Sequence, residues 1–110
     1  MNHKELTEEE VFEVTRGSLQ VNPGLYFYRD RETEEDPAWK QMNHFIYWDG
    51  NAWLWSVDYD GSHVWFGIKP SSSYLETRTV SRERFFDFAK EKTPDMLDWI
   101  LFNLISKNFP

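Results

Sequence analysis

Two Asp-Gly pairs, Asp49-Gly50 and Asp60-Gly61, each stand between runs of aromatic and β-branched residues, the pattern of consecutive β-hairpins. The strands read as Asn43 to Trp48, Ala52 to Asp58 and Ser62 to Ile68. With two-residue turns, Tyr47 pairs with Ala52 and Tyr59 with Ser62, and side-chain alternation then fixes the faces. One face holds Ile46, Trp48, Trp53, Trp55, Val57, Val64, Phe66 and Ile68; it is the expected core face. The other holds Phe45, Tyr47, Leu54, Ser56, His63 and Trp65, mixed but still aromatic.

Flanking segments extend this sheet. Asn22-Pro23-Gly24 is turn chemistry and releases Leu25-Tyr26-Phe27-Tyr28, a run of strand formers. Beyond Pro70 and three serines, Tyr74 to Val80 can form a further strand. Between the first two runs, Asp30 to Pro37 contains nothing that can bury apolar area and reads as a solvated, mobile loop.

Three helices follow from capping signals. Thr7 with Glu10 three residues on has the form of a capping box and starts a helix from Glu8 to about Arg16, with Gly17 as its C-cap. Val11, Phe12, Val14 and Thr15 share one arc of that helix, and Glu9, Glu10, Glu13 and Arg16 lie opposite. Ser81 caps a second helix that carries Phe85, Phe88 and Ala89 on one stripe. Thr93-Pro94-Asp95 starts a third, running to about Lys107, whose apolar side is Met96, Leu97, Ile100, Leu101, Leu104 and Ile105. Trp99 and Phe102 fall on its polar side, beside Asp95, Asp98 and Ser106. The fold expected is α+β: an antiparallel β-meander of four or five strands, a short N-terminal helix, and two C-terminal helices packed on one face, in a single domain over residues 1 to 110.

Composition narrows the function. With no cysteine, the chain is neither a disulfide scaffold, a cysteine-ligated zinc site nor a thiol enzyme, which suits a reducing compartment. Its N-terminal stretch lacks the apolar core of a signal peptide, and no apolar run is long enough to span a bilayer, so a cytoplasmic protein without membrane contact is expected. The net charge of −7 is uneven: residues 1–60 carry 13 acidic and 5 basic side chains, whereas residues 61–110 carry 6 and 7. That acidic half repels phosphate backbones, and direct nucleic-acid binding is not expected.

Catalytic signatures are lacking. His3, His44 and His63 have no metal-ligand spacing, and Asp58-Tyr59-Asp60-Gly61 lacks the further acids of a calcium loop. No phosphate-binding glycine loop, nucleophile elbow or HExxH helix is present, so no cofactor or metal is expected. Aromatic rings on the wet side of a helix and on a second sheet face mark interaction surfaces. The sequence therefore predicts a non-enzymatic protein that acts by protein–protein interaction, as a homodimer or as the small partner of a larger protein. Its candidate partner-binding residues are Trp99, Phe102, Phe45, Tyr47, Leu54 and Trp65. Two alternatives remain open at this level: an acidic mimic of nucleic acid that inhibits a DNA- or RNA-handling protein, and a small-ligand domain or enzyme with an aromatic pocket between sheet and helices.

Overall fold

A computed structural model describes residues 4–30, 42–60, 62–69 and 78–102. Its elements are β1 (Lys4–Glu5), α1 (Glu8–Thr15), β2 (Gly24–Arg29), β3 (Asn43–Trp48), β4 (Trp53–Tyr59), β5 (Val64–Ile68), β6 (Arg78–Val80), α2 (Arg82–Lys92), a 3₁₀ turn (Pro94–Met96) and α3 (Leu97–Ile100). The six strands form one mixed sheet in sequence order, antiparallel except for the β1–β2 pair. The α+β class therefore holds, with one parallel edge strand that the sequence did not signal. The loop over 31–36 and the start of the last strand at 74–77 lie outside the described residues.

The capping signals translate into geometry. Thr7 accepts from the Glu10 N–H at 3.1 Å, and Glu10 accepts from the Thr7 N–H at 2.9 Å, so two donors that the helix cannot satisfy internally are both paired. At the other end Gly17, at φ +82°, lets its N–H reach the Val14 carbonyl while the Ser18 N–H reaches that of Glu13. That is the Schellman arrangement, and it requires the left-handed conformation glycine adopts without strain. Along α2, Ser81 caps the Arg84 N–H, and Phe85, Phe88 and Ala89 are all buried.

Both hairpin turns depart from the expected register in the same way. Asp49 and Asp60 occupy the first corner of their turns: the Asp49 N–H donates to the Ala52 carbonyl and the Asp60 N–H to that of His63. Asp49 Oδ1 accepts from the amides of Asn51 and Ala52, and Asp60 Oδ1 from those of Ser62 and His63. Self-capping by the aspartates thus shifts each turn one residue along the chain. Tyr47 pairs with Trp55, not Ala52, and Tyr59 with Val64, not Ser62; Trp48 pairs with Trp53, which leaves Leu54 as an extra residue at a bulge.

The consequence is an exchange of faces on β3. Phe45 and Tyr47 join Trp55, Val57, Phe66 and Ile68 under the C-terminal helices, while Ile46 and Trp48 turn to the opposite side. Each side then builds its own core. Leu25, Trp55, Val57 and Ile68 pack with Phe85, Phe88, Ala89, Met96, Trp99 and Ile100; Val11 and Val14 of α1 pack with Tyr26, Ile46 and Trp48. Each face of the sheet thus carries helical packing, complete under α2 and α3 and partial under α1.

The C-terminal segment is also rotated from its expected phase. Buried here are Met96, Trp99 and Ile100, whereas Leu101 is 42% exposed. The first turn is 3₁₀, which advances each residue by about 120° against the 100° of an α-helix and so turns the apolar stripe. Thr93 makes no side-chain cap. Instead its wholly buried hydroxyl accepts from the Trp55 indole at 3.0 Å and donates to the Ala89 carbonyl at 2.8 Å. Residues 103–110, with the expected core positions Leu104 and Ile105, lie outside the described residues.

Candidate functional site: a cleft beside the N-terminal helix

A helix is about 10 to 12 Å across and strands lie about 4.8 Å apart, so one helix covers roughly two strands. Helix α1 takes Tyr26 of β2 and Ile46 and Trp48 of β3. On the strands beyond its reach the next positions in the same row are small, Ser56 on β4 and Gly67 on β5. A cleft of about 670 Å³ results, open along one flank. Val11, Ile46, Trp48 and Trp53 form its apolar wall, and Thr15, Ser56, Asp58, Lys69 and His44 supply polar groups.

The wall is fixed by a short relay. The Trp53 indole donates to Thr15 Oγ1 at 2.9 Å, and Thr15 donates to the Val11 carbonyl at 2.8 Å. Trp48 packs against Trp53 with ring centroids 4.7 Å apart, and Tyr26 meets Trp53 edge-on at 6.0 Å. The bulge at Leu54 makes this possible, because it turns Trp53 to the α1 side while Trp55 stays in the opposite core.

At one end of the cleft His44 is held between two carboxylates, Nδ1 to Asp58 at 2.6 Å and Nε2 to Asp30 at 2.7 Å, with Tyr28 stacked on the ring at 4.3 Å. A carboxylate only accepts, so both ring nitrogens are placed to donate, an arrangement that favours the imidazolium form. Burial lowers the His44 pKa, but the hydrogen bonds and charges of Asp58 and Asp30 outweigh it and the net shift is upward. The stacked Tyr28 hydroxyl is pushed strongly upward, first by burial and then by Asp58, Asp30 and Glu8. Both ring nitrogens face carboxylates of the chain itself, so His44 is engaged within the fold. The bonds tie together one end of β2, β3 and β4. Asp30 also accepts from the Met42 amide at 3.4 Å, so this first residue of the expected mobile run is docked.

Two polar groups in the cleft have no intramolecular partner among the described residues. Ser56 is 8% exposed and its hydroxyl makes no hydrogen bond, although it faces the cleft; Lys69 makes no ion pair. No group of three or more His, Asp or Glu side chains capable of holding a metal occurs among the described residues.

The residues singled out from sequence are dispersed. Trp99 does not project into water: it is 9% exposed, tilted against Phe45 at 5.1 Å and stacked near Trp55 at 6.4 Å. Phe45, Tyr47 and Leu54 are half-buried against the same core, with the Tyr47 hydroxyl donating to Asp95 at 3.3 Å. Phe102 is 57% exposed and Trp65 37% exposed, on opposite sides of the sheet. The cleft groups Ser56, Asp58 and Lys69 were missed because nothing local marks them; only the shifted register and the width of α1 bring them together.

Among the described residues no helix is long and apolar enough to cross a membrane. No protein-family model matches the chain, and neither a curated protein nor a solved structure matches it.

Proposed function

We propose that the chain is a non-enzymatic protein that acts by protein–protein interaction, docking a segment of a partner in the cleft beside α1. The observation that carries this reading is the cleft itself: about 670 Å³, walled by Trp48 and Trp53, with a serine hydroxyl and a lysine that have no partner among the described residues. Its open flank suits a segment of a larger molecule better than a metabolite, whose site normally encloses most of its surface. Commitment of both His44 nitrogens argues in the same direction, since the residue best placed to transfer protons is held between two carboxylates of the chain. A cytoplasmic location and a protein partner belong to this proposal together.

Leu101 and Phe102, 42% and 57% exposed at the end of α3, support a second contact, most simply a two-fold dimer in which these helix ends meet. Variants Ser56→Trp, which fills the cleft, and Phe102→Ser separate the two surfaces. Affinity purification from the source cell with each variant and the wild type, followed by mass spectrometry, reads the difference. A partner retained by the wild type and by Phe102→Ser but lost by a folded Ser56→Trp supports docking in the cleft. A partner indifferent to Ser56→Trp refutes it.

A further inference from the structure

Resting on the docking reading, we infer that the cleft receives an arginine side chain of the partner, its guanidinium donating to Ser56 Oγ and Asp58 Oδ2. Ser56 and Asp58 stand two residues apart on one face of β4, so their Cα atoms are separated by about 6.6 Å. Asp58 Oδ1 is occupied by His44, which leaves Oδ2 for an incoming donor. Ser56 as a residue is 8% exposed, and its hydroxyl, which has no hydrogen-bond partner among the described residues, keeps access to the cleft and is an acceptor there.

The charge balance at this end favours a cation. Asp58 and Asp30 both bond the one imidazole of His44, and Glu8 also acts on the adjoining Tyr28 hydroxyl, so carboxylates outnumber this ring among the groups bonded there. Lys69, the opposing charge, lines the same cleft, but its backbone lies about 13 Å along the sheet from the Asp58 level and about 6.6 Å from the Ser56 level, so the carboxylates stand at one end and the lysine towards the other. Arginine suits the site better than lysine for two reasons. Its planar fork can meet two separate acceptors, and its weakly hydrated face packs on aromatic rings more readily than an ammonium does. Its aliphatic stem then lies along Ile46 and Val11, which line the same wall.

Two peptides test this: acetylated, amidated leucyl-arginyl-leucine, and the same peptide with citrulline, the neutral isostere, in place of arginine. Both are titrated into the ¹⁵N-labelled protein. The arginine peptide should bind about tenfold tighter than its citrulline twin, the difference expected of charge-assisted over neutral hydrogen bonding. It should shift the amides of Ser56 and Asp58 and the Trp53 indole N–H, and should weaken as salt rises. Ser56→Ala, which removes a hydroxyl without a partner among the described residues, should leave thermal stability unchanged and weaken the arginine peptide about threefold to tenfold. Equal affinity for the two peptides, binding by neither, or tighter binding of a glutamate version through Lys69 overturns the inference. If a partner sensitive to Ser56→Trp is found while the arginine peptide fails, the arginine assignment falls and the docking reading stands.

Discussion

Replacing His44 by alanine should loosen the end of the sheet where β2, β3 and β4 meet, and the size of the effect follows from exposure. The His44 side chain is 12% exposed, Asp58 27% and Asp30 42%. A charge-assisted bond shielded from water is worth about 1.5 to 3 kcal/mol, and the Asp58 bond falls at the lower end of that range. The Asp30 bond is largely screened and adds about 0.5 to 1 kcal/mol. His44→Ala should therefore cost about 2 to 3 kcal/mol, on the order of 10 °C in Tm for a domain of this size. The effect should depend on pH with a definite sign. Because the folded-state pKa lies above the ordinary value of 6.5, the stabilisation is complete below that value and is lost as pH rises through the folded-state pKa. Urea unfolding followed by tryptophan fluorescence, repeated at intervals from about pH 6 to about pH 9, should show stability falling in the wild type and a flatter profile in His44→Gln, which has no proton to lose there. A wild-type profile that rises over this range, or a His44→Ala penalty below about 0.5 kcal/mol, would refute the clamp.

Three further substitutions probe the two cores. Thr93→Val leaves the Trp55 indole N–H without an acceptor in a site with no water access, and should cost about 1 to 3 kcal/mol by calorimetry; a neutral result would mean that Trp55 reorients. Ile100→Ala, at a fully buried position, should cost about 2 to 5 kcal/mol, whereas Leu101→Ala, 42% exposed, should cost under about 1 kcal/mol. The reverse order in denaturant unfolding would restore the helix phase read from the sequence. Gly17→Ala should cost about 1 to 2 kcal/mol because φ is +82° there, although nothing lies within 4 Å of an added Cβ; unchanged unfolding would mean that the cap rearranges.

What the sequence made legible was local. Thr7 and Glu10, Ser81 with the Phe85, Phe88 and Ala89 stripe, and the bounds of Asn43–Trp48 all rest on signals spanning a few residues. The hairpin register was not legible, because an Asp-Gly pair fits a turn either as its two central residues or with the aspartate at the first corner. Asp49 and Asp60 take the second option through side-chain bonds to the backbone. That single displacement, with the bulge at Leu54, moves Ile46 and Trp48 to the α1 side and Phe45 and Tyr47 to the other. The clamp on His44 was hidden for a different reason. Its partners are 14 residues away in both directions, and in sequence Asp30 belongs to an acidic run that looks solvated.

The docking claim is tested most directly by the tryptophan indole resonances of the labelled protein when a partner is added to saturation. The Trp53 indole is bonded to Thr15 at the cleft wall, and the Trp55 indole is bonded to Thr93 in the opposite core, so the pair serves as probe and internal control. Docking in the cleft predicts that the Trp53 resonance moves while that of Trp55 stays in place. A stationary Trp53 resonance, with perturbation confined to the end of α3 around Leu101 and Phe102, would contradict the claim.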